Sequence, residues 1–423
     1  MQLTDEEKRI LDGEQGYLAQ KCMQFLVAYG EAAGAERLVD IDGTADLHPG
    51  MKSSWIPDYH ITIEEIEEAA KRGEKFKVPT FANKPIAPGF LVDGWENCGT
   101  WPNSDPEYHK KCMRNIQPYI QMGMIPTLSC DYYLVSSYSP TVGQHCSWGE
   151  SSAIPWANAI LGARTNIDGC FQTAYLGKVP AYDMHLSENR IATILVESEN
   201  ELKTDMEYDL FGWAVGEAVG LEVPAIVGIG KPTTSQLVKM NSSLNTGGEV
   251  RMYHVPGLTP EAPTLEAAFN NKKTNKRITI TRNDLKRVYE MLNYAENDNV
   301  DFIFLGCPHY NIQEVQKAAR LLEGKRCRTN LWVMTNPWTY KIAEMAGYKA
   351  IIERAGGNLL SGTCAGEMRG ELPPTAVMAT DAAKQNYYIT GHAHPKKLQV
   401  WYGTTEDCIQ AAITGKWRGE WRY

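Results

Sequence analysis

Three cysteines share a setting that thiol chemistry would use. Cys130 ends the run MIPTLSC, Cys307 ends VDFIFLGC and Cys364 ends NLLSGTC, so each follows an apolar stretch and occupies the turn that closes it. In an open parallel sheet, ligands gather just beyond the carboxyl ends of the strands. Thiols delivered there from three strands could converge on one metal cluster. The three are too distant in the chain to form a local motif, and the same pattern also suits three buried cysteines acting as small hydrophobes. The other cysteines read differently. Cys22, Cys112 and Cys408 fall inside helical patterns, whereas Cys98, Cys170 and Cys327 lie in polar surroundings. Cys327 stands beside Lys325, Arg326 and Arg328, which would lower a thiol pKa, although an inert exposed cysteine fits as well.

A lone carboxylate is the second chemical feature. From Tyr132 to Ala163 the only charged side chain is Glu150, with histidine counted as neutral. A carboxylate in so apolar a segment must be paired or hydrogen-bonded. It reads either as a site carboxylate beside Ser151 and Ser152, or as a first-turn residue favouring a helix dipole without chemical work. His309 follows Cys307 by two positions and would orient a bound group or serve as a satisfied structural histidine. His145 and Cys146 precede Glu150 closely enough to line the same site. His392 and His394 in GHAHPKK fit a surface His-x-His, and IVGIGKPTTSQ (226–236) lacks the spacing of a phosphate loop, reading as a strand and a turn.

Alternating elements must position these residues. Apolar runs at Met124–Ser129, Val223–Ile229, Asp301–Leu305, Asn330–Met334 and Asn358–Leu360 read as strands. Helical patterns cover Glu150–Leu161, Asn283–Asn293, Ile312–Leu322 and Thr339–Met345, besides residues 1–40, an acidic helix at Ile61–Lys71 and one near His109–Met122. Thr4 with Glu7 forms a capping-box pattern. Strands alternating with helices predict an α/β chain with mainly parallel sheets. The expected division is 1–205, carrying Cys130 and Glu150; 206–275, a middle α/β region; and 276–423, carrying Cys307 and Cys364. Asn270–Lys276 is polar and basic, as a surface connection between domains would be.

The chain has 423 residues, 43% hydrophobic and 22% charged, with a net charge of −9. That length supports two or three domains. The acidic balance disfavours nucleic acid held through phosphates and docking on an anionic membrane. No apolar run approaches the length that spans a bilayer and no signal-peptide pattern opens the chain, so the cytoplasm is expected. Thiols kept reduced there would leave the cysteines unpaired.

The segment GQHCSWGESSAIPWANAILGARTN (143–166) resembles the signature of the aconitase X family, large or catalytic subunit. Three further segments agree in order: LSCDYYL around Cys130, FLGCPH around Cys307, and SGTC with TDAAKQNYYITG around Cys364 and Lys384. The resemblance implies an aconitase-like α/β fold whose domains meet at a central cleft. It implies an iron–sulfur cluster held by Cys130, Cys307 and Cys364, of [4Fe-4S] or [3Fe-4S] type, with [2Fe-2S] also compatible. Glu150, Ser151 and Lys384 match catalytic and substrate-contacting positions, and Asn83 resembles a substrate-loop asparagine.

The activity implied is a hydro-lyase, dehydrating a small hydroxy acid such as cis-3-hydroxy-L-proline or mevalonate 5-phosphate. A small swivelling subunit is the expected partner. The early loop departs from the family: HPGMKSSW offers Gly50, Lys52, Ser53 and Ser54 only as loose substrate-binding equivalents. The competing reading is an aconitase-like protein without turnover, either sensing iron or redox state or serving as a scaffold.

Overall fold

In the computed structural model the described residues are 1–49, 57–83, 106–136, 138–166, 169–363, 375–390 and 398–422. Gly50, Lys52, Ser53, Ser54, Cys98, Cys364, His392 and His394 lie outside them. Among the described residues no helix is long and apolar enough to cross a membrane.

Three parallel sheets carry the architecture. The first orders its strands Ala45–Leu47, Thr80–Ala82 and Met124–Ile125. The second runs Pro224–Val227, Ile194–Ser198 and Arg277–Ile280. The third has five strands in the order Asn358–Ser361, Asn330–Thr335, Phe302–Tyr310, Val377–Thr380 and Gln399–Tyr402. A short antiparallel pair, Leu38–Asp40 with Lys178–Pro180, stands apart. The α/β expectation with mainly parallel sheets therefore holds.

The third sheet shows why its strands read as apolar runs. Successive side chains point to opposite faces, and both faces are covered. Ile303 and Leu305 pack with Val315, Leu331 and Leu359 on one side. Phe304, Trp332, Met334 and Met378 pack on the other. Within the central strand the ladder breaks: Leu305 pairs with Val333 and Tyr310 with Thr335, so Gly306, Cys307, Pro308 and His309 together face Met334 alone. Such a bulge lifts side chains out of the ladder. Gly306 permits it, with φ of 98° and a backbone so close that a Cβ would lie 2.1 Å from the Met334 carbonyl oxygen.

The middle region is built on two helices, Asp205–Val219 and Thr234–Gly248, whose backbones nearly touch. A Cβ on Gly216 would lie 2.7 Å from the Leu244 carbonyl oxygen. Both helices open with capping boxes, Thr204 with Glu207 and Thr233 with Gln236. The sequence reading had assigned neither helix.

Several expected boundaries shift for local reasons. The strand expected over Met124–Ser129 stops at Ile125, because Pro126 has no N–H to continue a ladder. The helix expected over Glu150–Leu161 starts at Ala153 and passes at Pro155 into a π-helical turn, Trp156–Ile160. Glu150 thus precedes the helix. The first 40 residues form helices Asp5–Leu11 and Tyr17–Ala32 with the expected Thr4–Glu7 capping box, then a strand at Leu38. Asn270–Lys276, expected as a surface connection between domains, is exposed but leads into Arg277–Ile280, a strand of the same sheet as Ile194–Ser198.

Candidate active site

The carboxyl ends of the first and third sheets supply the polar groups. Asn83 follows the strand Thr80–Ala82, His48 follows Ala45–Leu47, and Cys130 lies beyond Met124–Ile125. Cys307 sits in the bulge of the central strand, and Lys384 opens the helix Ala383–Thr390 after Val377–Thr380. This is the position at which parallel sheets hold ligands.

Glu150 joins the two sheets. It is 4% exposed, and its carboxylate accepts from Asn83 Nδ2 at 3.0 Å and from the hydroxyls of Ser151 and Ser152 at 3.3 Å each. Lys384 Nζ, equally buried, donates in a close ion pair to Oε1, the oxygen that also accepts from the two serines, while Asn83 holds Oε2. His48 Nε2 stands 4.0 Å from Glu150. Burial alone would push the Lys384 ammonium down, but Glu150, Tyr388 and the thiols of Cys307 and Cys130 together outweigh it and hold the pKa above the usual lysine value. The cation is therefore retained in a buried place, paired with a carboxylate and within electrostatic reach of two sulfurs.

The cysteine loops are bound to one another. The backbone N–H of His309 donates to Cys130 Sγ at 3.3 Å. His309 Nδ1 meets Ser129 Oγ at 2.9 Å, and Nε2 meets the Thr363 carbonyl oxygen at 2.7 Å. A carbonyl only accepts, so Nε2 carries a hydrogen. Ser129 Oγ, with one hydrogen to share, is also hydrogen-bonded to Asp131, whose pKa burial raises to about 6 against the hydrogen bonds from Ser129 and Asn336. A backbone donor and a buried ammonium both favour thiolate over thiol, so the donor set fits a sulfur-bound inorganic group. Among the described residues no three Cys, His, Asp or Glu side chains form a ready ligand set; Cys364 is not one of them.

A further buried network fixes the Lys384 helix. Asp209 accepts the Ala383 N–H at 2.8 Å and the Tyr402 hydroxyl at 2.9 Å, and it also accepts from Ser243. Lys239 donates to the Asp381 carbonyl oxygen at 3.0 Å and stands 3.5 Å from the Asp381 carboxylate. Thr405 and Tyr310 donate to that carboxylate. None of these residues was singled out from sequence, although a charge inside a helix as apolar as DLFGWAV is a signal that it must be paired.

Other candidates resolve differently. His145 hydrogen-bonds His185, ring nitrogen to ring nitrogen at 2.9 Å, and its backbone N–H donates to Asp42. Cys146 is buried, and burial raises its thiol pKa to about 12. Cys327 corrects the electrostatic expectation: it is half-buried, and burial raises its thiol to about 11 despite the flanking basic residues.

Comparison with known proteins covers nearly the whole chain. Residues 1–188, 192–290 and 300–414 match the family models for the first, second and third domains of aconitase X. The phosphomevalonate dehydratase large subunit of Methanocaldococcus jannaschii is 33% identical, over 97% of this chain and 100% of that protein. The cis-3-hydroxy-L-proline dehydratase of Hypocrea jecorina is 30% identical, over 98% of this chain and 69% of its own length. A crystal structure of Thermococcus kodakaraensis aconitase X in its holo-form overlays with a TM-score of 0.81 at 32% identity, covering 97% of this chain and 100% of that one. With all three of its successive domains matched and its fold overlaid end to end, the chain belongs to the aconitase X family.

Proposed function

We propose that this chain is the large subunit of a hydro-lyase that dehydrates a small hydroxy acid. Membership of the lyase class rests on the relatives, which are named dehydratases. The observation that carries the site assignment is Glu150, held between Asn83 of one sheet and Lys384 after a strand of another, with the thiols of Cys130 and Cys307 near enough to act on the Lys384 charge.

Dehydration removes a carbon-bound proton and expels hydroxide. The Glu150 carboxylate takes the proton, its oxygens oriented by Asn83, Ser151 and Ser152. Lys384 holds the substrate's carboxylate or phosphate by charge. That anion reaches the ammonium by competing with Glu150, which turns the carboxylate toward the substrate. Burial of both groups keeps bulk water from the pair and strengthens each contact.

Cys130, Cys307 and Cys364 would hold an iron–sulfur cluster. When bound, a cluster with one iron corner free of protein ligands supplies the Lewis acid for the departing hydroxyl. Gly50, Lys52, Ser53 and Ser54 complete the substrate loop in this reading. A separate small swivel subunit is proposed because relatives covered from 94% to 100% of their length are named large subunits. Mevalonate 5-phosphate is the first substrate to test and cis-3-hydroxy-L-proline the second.

The deciding experiment is anaerobic reconstitution with iron and sulfide, followed by assay of both acids with the small subunit present. Cys307→Ser should abolish the visible charge-transfer absorption and turnover together. A Cys307→Ser protein with the absorption intact, or a reconstituted wild type inactive on both acids, overturns the assignment.

A further inference from the structure

His309 touches every described part of the thiol site. Its backbone N–H donates to Cys130 Sγ at 3.3 Å. Its Nδ1 meets Ser129, the residue before Cys130, at 2.9 Å, and its Nε2 donates to the carbonyl of Thr363, the residue before Cys364, at 2.7 Å. It lies in the bulge that also carries Cys307. The residue is 3% exposed.

We propose that His309 is the positioning residue of the thiol site, pinning the Ser129–Cys130 turn and the Ser361–Thr363 turn to the bulge of Cys307 through one imidazole. The segments it joins are 180 and 54 residues away in the chain. Loops that remote have no local reason to share a register, and a rigid two-ended group supplies one. An imidazole with both nitrogens engaged by protein has no lone pair left for metal, so its work is orientation and not ligation. Sulfur ligands displaced by even an ångström bind a cluster poorly, which is why groups that orient ligands matter nearly as much as the ligands themselves.

The inference extends the cluster reading above, and the experiment separates the two. The first arm is hydrogen exchange on the metal-free chain. His309→Ala should speed exchange about ten- to a hundredfold at 127–132 and 359–363, the opening expected when buried hydrogen bonds are lost, and leave the helices Asp5–Leu11 and Tyr17–Ala32 unchanged. His309→Gln places an amide donor near Thr363 and should restore protection at 359–363 while 127–132 stays open. The second arm is iron and sulfide retained after reconstitution, read with the charge-transfer spectrum. His309→Ala should lose cluster several times faster than wild type, and His309→Gln should recover part of the difference.

Unchanged exchange at both segments in His309→Ala overturns the proposal, as does uniform loss of protection along the chain. Should His309→Ala fail to fold, Ser129→Ala and His309→Gln carry the same comparison. A wild-type chain that takes up no iron and sulfide refutes the cluster reading, while the exchange arm still decides the role of His309.

Discussion

The Asp209 carboxylate accepts the backbone N–H of Ala383 at 2.8 Å, so a side chain from the second family domain caps the helix that presents Lys384 from the third. Asp209→Ala removes that cap, strands the hydroxyls of Tyr402 and Ser243, and leaves the Lys239 ammonium with less compensation. The expected cost is about 3 kcal/mol in denaturant unfolding. Asp209→Asn should cost less and should raise KM more than it lowers kcat, because Lys384 is displaced and not removed.

Glu150→Gln tests the buried ion pair. The amide preserves size, so the fold and the inorganic content should survive while kcat falls about 10²- to 10⁴-fold, the range for losing an acid–base group. Without the carboxylate that sustains it, the Lys384 pKa should drop. Chemical modification of Lys384 against pH reads that shift directly, and an unmoved profile would show that Glu150 does not set the charge.

Acid stability should depend on His145. Burial, followed by the His185 ring and Arg164, pushes its pKa down from 6.5 to about 4. The unfolded chain then binds the proton first, so the contribution is complete above pH 6.5 and is lost as pH falls toward 4. Urea midpoints measured across that window should fall in the wild type. Subtracting the same series for His145→Asn isolates the residue from Asp131, whose raised pKa acts in the opposite direction.

Arg190 ties the segment after Glu150 to the middle region. Its buried guanidinium donates to the side chain and backbone of Asn158, to the Met184 carbonyl oxygen and to Glu261. Arg190→Ala should destabilise by about 3–5 kcal/mol. Arg190→Lys should recover little of it, since an ammonium cannot reproduce the planar fork. Thermal unfolding of the three proteins gives the ranking.

The legible parts of the site were those with local signals. An apolar run closed by a turn marked Cys130 and Cys307, and a lone charge in an apolar stretch marked Glu150. The α/β class followed from alternating periodicities. Partners were not legible, because Glu150 and Lys384 are 234 positions apart and no local rule couples them. The bulge at Gly306–His309 was hidden as well: the apolar run reads as a strand ending at Leu305 with Cys307 in the closing turn, whereas Tyr310 pairs with Thr335 and the strand resumes after four residues leave the ladder. Asp209 was passed over because its helix is apolar nearly all round, and Lys239 because its helix mixes small polar residues with few apolar ones; in neither does a clear periodicity mark the charge.

The ion pair also sets an order on biosynthesis. A ribosome releases Glu150 and its apolar surroundings well before the codon for Lys384 is read. Until the last sheet closes, the nascent chain holds an anion with no cation to meet it, in a segment that would otherwise collapse early. Closing the last sheet therefore brings cation and anion together, and a product truncated before Lys384 keeps the carboxylate without its ammonium.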